Sequence, residues 1–268
     1  MQARAVRLIT VFFVAFGLLA GGASGGGYRF LEKEVVLTKP LLVRRGETLY
    51  VAPGTRIHVN IPKSPEAEDA IKALTVQGRL IIDGREERPV LITGGAGWGE
   101  IYLEDAEAVV RHARVERAAW AFHIHGGFTL IEKSDISENE GGVRTYRGGM
   151  YVKKSRLAGN EVAIRYWEGG PVVRECAIYG NRVGVFFREG ASTALFRDNL
   201  IDNREYNLKI GDFASGVPDL RENYWGTADE VQIGGKIFDG RERSIAIRDI
   251  YPVLENPPRS FPENYRVR

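Results

Sequence analysis

The feature that most constrains the fold of this chain is a repeat of about 21 residues. Segments with the same pattern of apolar and polar residues begin at Val110, Ile131, Val152, Val173 and Leu195. Successive starts are separated by 21, 21, 21 and 22 residues. Because several columns of the pattern recur together, each segment is expected to form the same structural unit as the one before it.

The columns of the repeat have a physical meaning. The five starting residues form one apolar file, and a second apolar file follows five residues on, at Val115, Ile136, Leu157, Ile178 and Leu200. A file of small or polar residues lies between them, at Ala113, Ser134, Ser155, Cys176 and Asp198. A fourth file is an Asn ladder of Asn139, Asn160, Asn181 and Asn203. Stacked Asn side chains can hydrogen-bond along such a column while the backbone turns a corner.

Short β runs and turn residues at fixed offsets predict an all-β fold, a parallel β-solenoid. Glycine pairs at Gly126–Gly127, Gly148–Gly149 and Gly169–Gly170 supply turns that tolerate a positive φ. Coils would stack at the ordinary strand spacing of about 4.8 Å. One coil cannot bury its apolar face alone, but a stack can. The period is too short for a propeller blade, and the pattern of a leucine-rich repeat is absent.

With these features the sequence resembles right-handed parallel β-helix proteins of the pectate-lyase-like and carbohydrate-binding or sugar-hydrolase type. The Asn ladder and the coil length carry the resemblance, together with LLVRRGETLYVAPGTRI (Leu41 to Ile57) and LTVQGRLIIDGREERPVLITG (Leu74 to Gly94). The segment NYWGTADEVQIGGKIFDG (Asn223 to Gly240) looks like a recurrent exit segment. The resemblance implies a single-stranded, right-handed parallel β-helix, a fold that serves many chemistries.

The first 23 residues have the features of a secretory signal peptide. Arg4 and Arg7 precede the apolar run LITVFFVAFGLLA, and the small residues GGASGGG follow it. The run is shorter than the roughly 20 residues that a membrane span needs. We therefore expect cleavage after Ala23 and export to the periplasm or to the cell surface and beyond, with no membrane span after cleavage. A retained N-terminal anchor is the alternative.

The remaining chain is expected to form one domain. Residues 24–34 are a glycine-rich lead-in and N-terminal cap, residues 35–256 form the parallel β-helix, and residues 257–268 are an extended tail. The insertion IPKSPEAEDAIK (Ile61 to Lys72) is expected to form a loop, with a short helix in EAEDAIK. Caps are needed because open strand edges invite association.

Charge and cysteine content exclude several function classes. Removing the signal segment with Arg4 and Arg7 lowers the Lys plus Arg count from 37 to 35, against 35 Asp plus Glu. A neutral chain gives no indication of nucleic-acid binding. The single cysteine, Cys176, excludes an intrachain disulfide and cysteine-rich zinc sites, and its place in the small file predicts a core residue.

One outward strand face is chemically biased. The second strand of each coil directs Phe122 and Ile124, and their equivalents in later coils, into the core. Alternation then directs the intervening side chains outward. They form what we call the basic-aromatic face: His123, His125, Arg144, Tyr146, Arg165, Trp167, Phe186, Arg188 and Lys209.

This face predicts binding of a polysaccharide, possibly an anionic one. Flat aromatic rings stack on sugars, and arginine forms charge-assisted bonds to carboxylate or sulfate. Two alternatives use the same residues. Long side chains can cover a flat sheet and pair through cation–π contacts, or the face can bind an envelope partner protein. A structural role within an envelope assembly is a further alternative.

An enzyme is the other hypothesis, although the sequence favours a non-catalytic protein. Glu168 and Glu189 occupy equivalent positions in neighbouring coils, near Arg165, and could serve a polysaccharide lyase or glycoside hydrolase. The hydrolases that the chain resembles carry Asn-Thr-Asp, a paired Asp and Gly-His-Gly. Those motifs are absent, and HIHGG (His123 to Gly127) matches them only in part.

Neither a metal nor another cofactor is predicted. His123 and His125 share a strand face without an obvious third ligand, which is more typical of surface residues than of a metal site. Stacked carboxylates leave Ca²⁺ as an alternative. The sequence leaves the identity of the ligand or partner and the oligomeric state open.

Overall fold

The structure, a computed structural model, describes residues 27–62, 69–216, 218–241 and 250–258. The predicted signal peptide over residues 1–23 and residues 259–268 of the predicted tail lie outside the described residues. Residues 66–68 of the proposed EAEDAIK helix also lie outside them. Residues 69–71 are not helical, and Lys72 begins a strand, so no helix spans the end of that segment.

The described chain forms 25 strands and one short helix. The first strands are β1 (Tyr28–Leu31), β2 (Glu34–Leu37), β3 (Leu41–Val43), β4 (Thr48–Val51), β5 (Arg56–Val59), β6 (Lys72–Val76), β7 (Arg79–Asp83), β8 (Val90–Gly94) and β9 (Glu100–Glu104). The central strands are β10 (Glu107–Arg111), β11 (Ala113–Glu116), β12 (Trp120–His125), β13 (Phe128–Glu132), β14 (Asp135–Ser137), β15 (Gly141–Tyr146), β16 (Gly149–Lys153), β17 (Arg156–Ala158) and β18 (Val162–Trp167). The last elements are β19 (Val172–Arg174), β20 (Ala177–Tyr179), β21 (Val183–Ala191), β22 (Leu195–Arg197), β23 (Leu200–Asp202), β24 (Tyr206–Ser215), α1 (Glu230–Gly235) and β25 (Ile237–Asp239).

The strands belong to three parallel sheets, and each coil contributes one strand to each sheet. Sheet A has the order β1-β4-β7-β10-β13-β16-β19-β22, and sheet B has the order β2-β5-β8-β11-β14-β17-β20-β23. Sheet C has the order β25-β24-β21-β18-β15-β12-β9-β6-β3. The result is a parallel β-solenoid of about nine turns with about 21 residues per turn, which confirms the predicted fold class.

The apolar files fill the interior of the solenoid. Val110, Ile131, Val152 and Val173 lie in register on adjacent strands of sheet A, and each is fully buried. Val115, Ile136, Leu157 and Ile178 do the same in sheet B. Cys176 is buried in the core, where burial raises the pKa of its thiol to about 12. An uncharged, enclosed thiol is a packing residue.

The predicted fifth residue was wrong in both apolar files and in the file of small or polar residues. Phe196, Ile201 and Asn199 take the places predicted for Leu195, Leu200 and Asp198. The spacing at this coil is 23 residues because the chain has two additional residues between Phe187, which pairs with Tyr166, and Ser192, which pairs with Gly169. Asp198 instead continues a column of residues with positive φ at the corner between sheets A and B: His112, Lys133, Lys154, Glu175 and Glu222.

The Asn ladder forms one continuous line of hydrogen bonds at the corner between sheets B and C. The backbone N–H of Asn139 donates to the Oδ1 of Asn160 at 3.0 Å, and the N–H of Asn160 donates to the Oδ1 of Asn181 at 2.9 Å. The N–H of Asn181 donates to Asn203 at 3.2 Å, and Asn207 accepts from Asn203 at the end of the line. Each amide satisfies a buried backbone group that the turning chain cannot pair by itself.

The small file is a second ladder. Side-chain oxygens of Ser134 and Ser155 accept hydrogen bonds from backbone N–H groups one coil earlier, both at 3.1 Å. Two asparagines continue this pattern. The Oδ1 of Asn199 accepts from the N–H of Cys176 at 2.8 Å, and the Oδ1 of Asn223 accepts from the N–H of Asn199 at 3.0 Å. Two of the three corners are therefore held by side-chain oxygens that repeat once per coil.

The third corner, between sheets C and A, is turned by the predicted glycines. Gly126, Gly148 and Gly169 all have a positive φ. A Cβ atom on Gly148 would lie 2.6 Å from the backbone of Gly126 in the coil before it. The corner therefore needs glycine for close stacking as well as for its backbone conformation.

The ends of the described solenoid differ. Sheet A begins at Tyr28, within the segment predicted to be a lead-in. The exit segment forms α1, whose N-cap is Asp229, and β25, which adds the last strand to sheet C. Among the residues that the structure describes, no helix is long and apolar enough to cross a membrane.

We predict that Asn160→Ala destabilises the fold strongly. The substitution leaves the buried N–H of Asn139 without its acceptor and removes the side-chain donor to the carbonyl of Ile136, and an unsatisfied buried group costs about 1–3 kcal/mol. The free energy of unfolding should fall by roughly 2–4 kcal/mol, seen as a lower urea midpoint by circular dichroism. Asn60→Ala removes an exposed amide and should change the midpoint little. Equal urea midpoints for the two variants would contradict a stabilising role of the Asn ladder.

Candidate ligand-binding face

The basic-aromatic face lies on the outer surface of sheet C, in two columns of side chains. The first column contains Tyr102, His123, Arg144, Arg165, Phe186, Lys209 and Phe238, and the second contains Glu104, His125, Tyr146 and Trp167. Arg188 follows the buried Phe187 at the next outward position. The intervening side chains are buried in the core, so the predicted register is correct. Ligand binding by these residues stays a prediction.

An unbroken ribbon of rings crosses four coils of this face. Ring centroids are 4.9 Å apart between Tyr102 and His123 and 4.5 Å apart between His123 and His125. The ribbon continues from His125 to Tyr146 at 5.5 Å and from Tyr146 to Trp167 at 5.7 Å. Tilted and edge-on contacts at these distances are favourable, so each ring helps to hold the orientation of the next.

Cations cover the ribbon at its C-terminal end. The guanidinium of Arg188 lies 4.3 Å from the ring of Trp167, and that of Arg165 lies 5.2 Å from Trp167 and 5.6 Å from Phe186. The ammonium of Lys209 lies 5.3 Å from Phe186. These distances are typical of cation–π contacts. They are the contacts that the covering-layer alternative predicts, and they also orient the cations for a ligand.

Arg165 is a cation without a carboxylate partner. It makes no ion pair or hydrogen bond with any residue in the described part of the chain, and its Nε is buried without an acceptor. Burial lowers the pKa of Arg165, and the neighbouring cations Arg188 and Arg144 lower it further. The negative charge of Glu189 opposes these effects, so the protein compensates the positive charge of Arg165 only in part.

A buried polar cluster lies at the other end of the ribbon. The carboxylate of Glu100, only 1% exposed, lies 3.0 Å from Nη2 of Arg144 and 2.9 Å from Nδ1 of His123. Nη2 of Arg144 is also 2.7 Å from that Nδ1. Since arginine only donates, Nδ1 either accepts from Arg144 or donates to Glu100, according to the tautomer. In both cases the Glu100–Arg144 ion pair remains.

Both histidines of the face favour their neutral form. Burial lowers the pKa of His123, and the hydrogen bond to Glu100 opposes this effect. Burial also lowers the pKa of His125, with a further contribution from His123. The positive charge of the face at neutral pH is consequently carried by arginine and lysine.

The predicted catalytic carboxylates lie beside cations. Oε2 of Glu168 accepts a hydrogen bond from Arg147 at 2.9 Å. Glu189 accepts from the indole N–H of Trp167 and lies 3.6 Å from Arg188. These contacts give both glutamates an ion-pair role on the surface. Catalysis by Glu168, Glu189 or Arg165 stays a prediction.

The cofactor predictions are not decided by these contacts. In the part of the chain that the structure describes, no group of three or more His, Cys, Asp or Glu side chains is arranged to hold a metal ion. His123 and His125 are neighbours without a third such ligand in that part of the chain.

Sequence reasoning missed four residues of this region: Lys72, Glu100, Tyr102 and Trp120. Trp120 packs 5.1 Å from the guanidinium of Arg144, and Lys72 lies 3.8 Å from the ring of Tyr102. A signal was present in EIYLE, the sequence of β9. Ile101 and Leu103 point into the core there, which places Glu100 and Tyr102 outward.

Comparisons with known proteins give no relative. No family model matches the chain, and neither the curated proteins nor the solved structures include a significant match. The resemblance to pectate-lyase-like proteins is therefore supported at the level of the parallel β-solenoid alone.

We predict that acidification destabilises the protein partly through His123. The unfolded chain takes up a proton near the ordinary histidine pKa of about 6.5, before the folded chain does, so the free energy of unfolding falls as the pH drops below that value. In His123→Asn the difference between urea midpoints at neutral and mildly acidic pH should shrink. Part of the pH dependence should remain in that variant, because the pKa of His125 is lowered as well. His58→Asn removes an exposed histidine of sheet B, and an equal change in that variant would contradict the assignment.

Proposed function

We propose that this protein is an exported, non-catalytic binding module that holds an anionic polysaccharide on the basic-aromatic face. The observation that supports this most directly is Arg165, a half-buried cation that stacks on Trp167 and forms no ion pair or hydrogen bond with a carboxylate in the described chain. A carboxylate or sulfate ester would supply an anionic partner through charge-assisted hydrogen bonds. The nearby Arg188 and Lys209 would add further cations.

The repeat geometry favours a polymer over a small anion. Outward columns present one side chain per coil at a spacing of about 4.8 Å, so similar subsites recur along the solenoid axis. The ring ribbon from Tyr102 to Trp167 runs in the same direction. Sugar rings can pack on these aromatic residues while acidic groups of the polymer reach the arginines.

The two ends of the face would have different tasks. The cation of Arg144 is already neutralised by Glu100, whereas the cation of Arg165 is not. We therefore assign anion recognition to the end with Arg165, Arg188 and Lys209. The end with Tyr102, His123 and His125 would contact uncharged parts of the sugar.

Export to the periplasm or the cell surface belongs to the same proposal. It relies on the signal-peptide pattern of residues 1–23, and it places the module where polysaccharides are found. The proposal assigns no catalytic residue and no cofactor.

We predict that Arg165→Gln weakens binding to polygalacturonate or alginate at least tenfold, because one charge-assisted contact to an anion is worth about 1.5–3 kcal/mol. Arg156→Gln is the matched control. Arg156 lies in the same coil on sheet B, where it bonds Asp135 at 2.7 Å, and its loss removes the same charge. Affinity electrophoresis or calorimetry would measure the difference, with uncharged dextran as the ligand control. Equal affinities for both variants would sink the proposal.

We predict that Trp167→Ala reduces retention of the same polymers while Trp167→Phe preserves most of it. Phenylalanine keeps a ring for stacking but cannot donate to Glu189. The melting temperature should change little in either variant, since Trp167 is partly exposed. A large loss of stability without any loss of retention would assign Trp167 to the covering layer instead. Turnover of the polymer by the wild-type protein would favour the enzyme hypothesis.

A further inference from the structure

The outer surface of sheet A carries a second patterned face. One outward position per coil is apolar in all eight strands and forms what we call the apolar stripe. Its members are Phe30, Tyr50, Ile81, Val109, Leu130, Tyr151, Val172 and Leu195. They lie in register along the whole length of the sheet.

The core does not need this stripe. From β4 onward, the inward positions of the same strands hold Leu49, Ile82 and Val110 and their equivalents, which are buried. Every member of the stripe is at least partly exposed, and Phe30 is 66% exposed. The outer surface of sheet B differs, since Arg56, Arg114 and Arg156 recur there. Phe30 is exposed and the other seven members are half-buried, so the stripe is a continuous, partly exposed apolar line. Apolar surface of this kind can mark a protein interface.

Charged residues follow the stripe two residues further along each strand. The flank carries Glu32, Asp83, Arg111, Glu132, Lys153, Arg174 and Arg197, with Ala52 in the second coil. Acidic residues thus predominate at its N-terminal end, and Lys153 and Arg174 are the cations toward its C-terminal end, since Arg197 is buried and paired with Asp219. Within one chain, Glu132 already pairs with Arg111 at 3.2 Å and with Lys153 at 3.0 Å.

We infer that the apolar stripe is the interface of a homodimer, in which it packs on the same stripe of an antiparallel second copy. A twofold axis in the plane of the interface, midway between Val109 and Leu130, makes the first coil of one copy face the eighth coil of the other. Arg111 then faces Glu132 of the second copy, and Asp83 faces Lys153. Self-complementary pairing of this kind is what an isologous interface requires.

The charge pattern selects the antiparallel orientation. In a parallel pair Glu132 would face Phe128 and Lys153 would face Gly149 of the other copy, so neither charge would have a counterpart. The antiparallel pair places the cationic end of each flank against the acidic end of the other copy. Opposite potentials across an interface favour both the partner and its orientation.

The available area indicates a weak, reversible dimer. Eight strands at about 4.8 Å span about 34 Å, and five residues at about 3.3 Å span about 16 Å. That footprint lies below the roughly 800 Å² per partner of a standard interface. Sheet C remains uncovered in this dimer, so the inference does not depend on the proposed polysaccharide binding.

Sedimentation equilibrium of the processed, full chain tests the inference. We expect the mass to rise from monomer toward dimer between about 1 and 200 µM, the range in which weak interfaces dissociate. Leu130→Glu, near the centre of the stripe, should weaken association at least tenfold. Leu91→Glu is the matched control, since Leu91 is a partly buried outward residue of sheet B.

Three outcomes would overturn the dimer. The wild-type chain could remain a monomer throughout, which would leave the stripe to another segment of the chain or to a different protein. Leu91→Glu could weaken association as much as Leu130→Glu does. If circular dichroism shows that Leu130→Glu is unfolded, Tyr151→Glu takes its place. Association of Tyr151→Glu with the affinity of the wild-type chain would then overturn the interface.

A charge exchange tests the orientation. Arg111→Glu alone should weaken the dimer, and the double variant Arg111→Glu with Glu132→Arg should restore it, because the two positions face each other across the antiparallel interface. In a parallel pair Arg111 would face Glu107 instead, so the double variant would stay weak and the antiparallel arrangement would be wrong.

Discussion

The whole molecule depends on one constraint, the register between successive coils. Every strand of a parallel solenoid gains its backbone hydrogen bonds from the coils before and after it, and a slip of one residue would exchange the core face of a strand for its outer face. Side-chain oxygens that recur once per coil fix this register at two corners, through the Asn ladder and through the file from Ser134 to Asn223. Because the amides are enclosed, they cannot turn to water if the stack shifts, and the shift is correspondingly costly.

Because the register is fixed, residues at the same position of successive repeats lie next to each other on the surface. A residue type that recurs at one outward position becomes a continuous line on the exterior of the solenoid, as the apolar stripe does on sheet A and the ring ribbon does on sheet C. Sheet B carries mainly charged residues at its exposed positions. The three sides of the same scaffold therefore have three different chemistries, and each can change without altering the inward files that hold the core.

The repeat predicted the fold class, the Asn ladder and the register of the basic-aromatic face, because these properties depend only on local spacing. It failed after Phe187, where two residues are added at a corner and the true partner of Val173 is Phe196. Alternation alone cannot reveal an insertion of two residues, since such an insertion preserves the inward and outward pattern. Alternation in β9 places Glu100 on the outer face, but its contacts with His123 and Arg144 could not be predicted, because they join strands from three coils. The ion pairing of Glu168 with Arg147 depends on rotamers that no column of residues displays.

The two residues added after Phe187 show where this scaffold can grow. They extend β21 to nine residues, whereas β18 has six, and β21 pairs with the ten-residue β24 through a register shift between Phe187 and Glu189. Sheet C consequently becomes wider at the end that carries Arg188 and Lys209. The sheet absorbs the additional residues through this local register shift, and the strands pair again from Glu189 to Ala191. Insertions there offer a route by which related chains could acquire new contacts for a ligand while inheriting the same core.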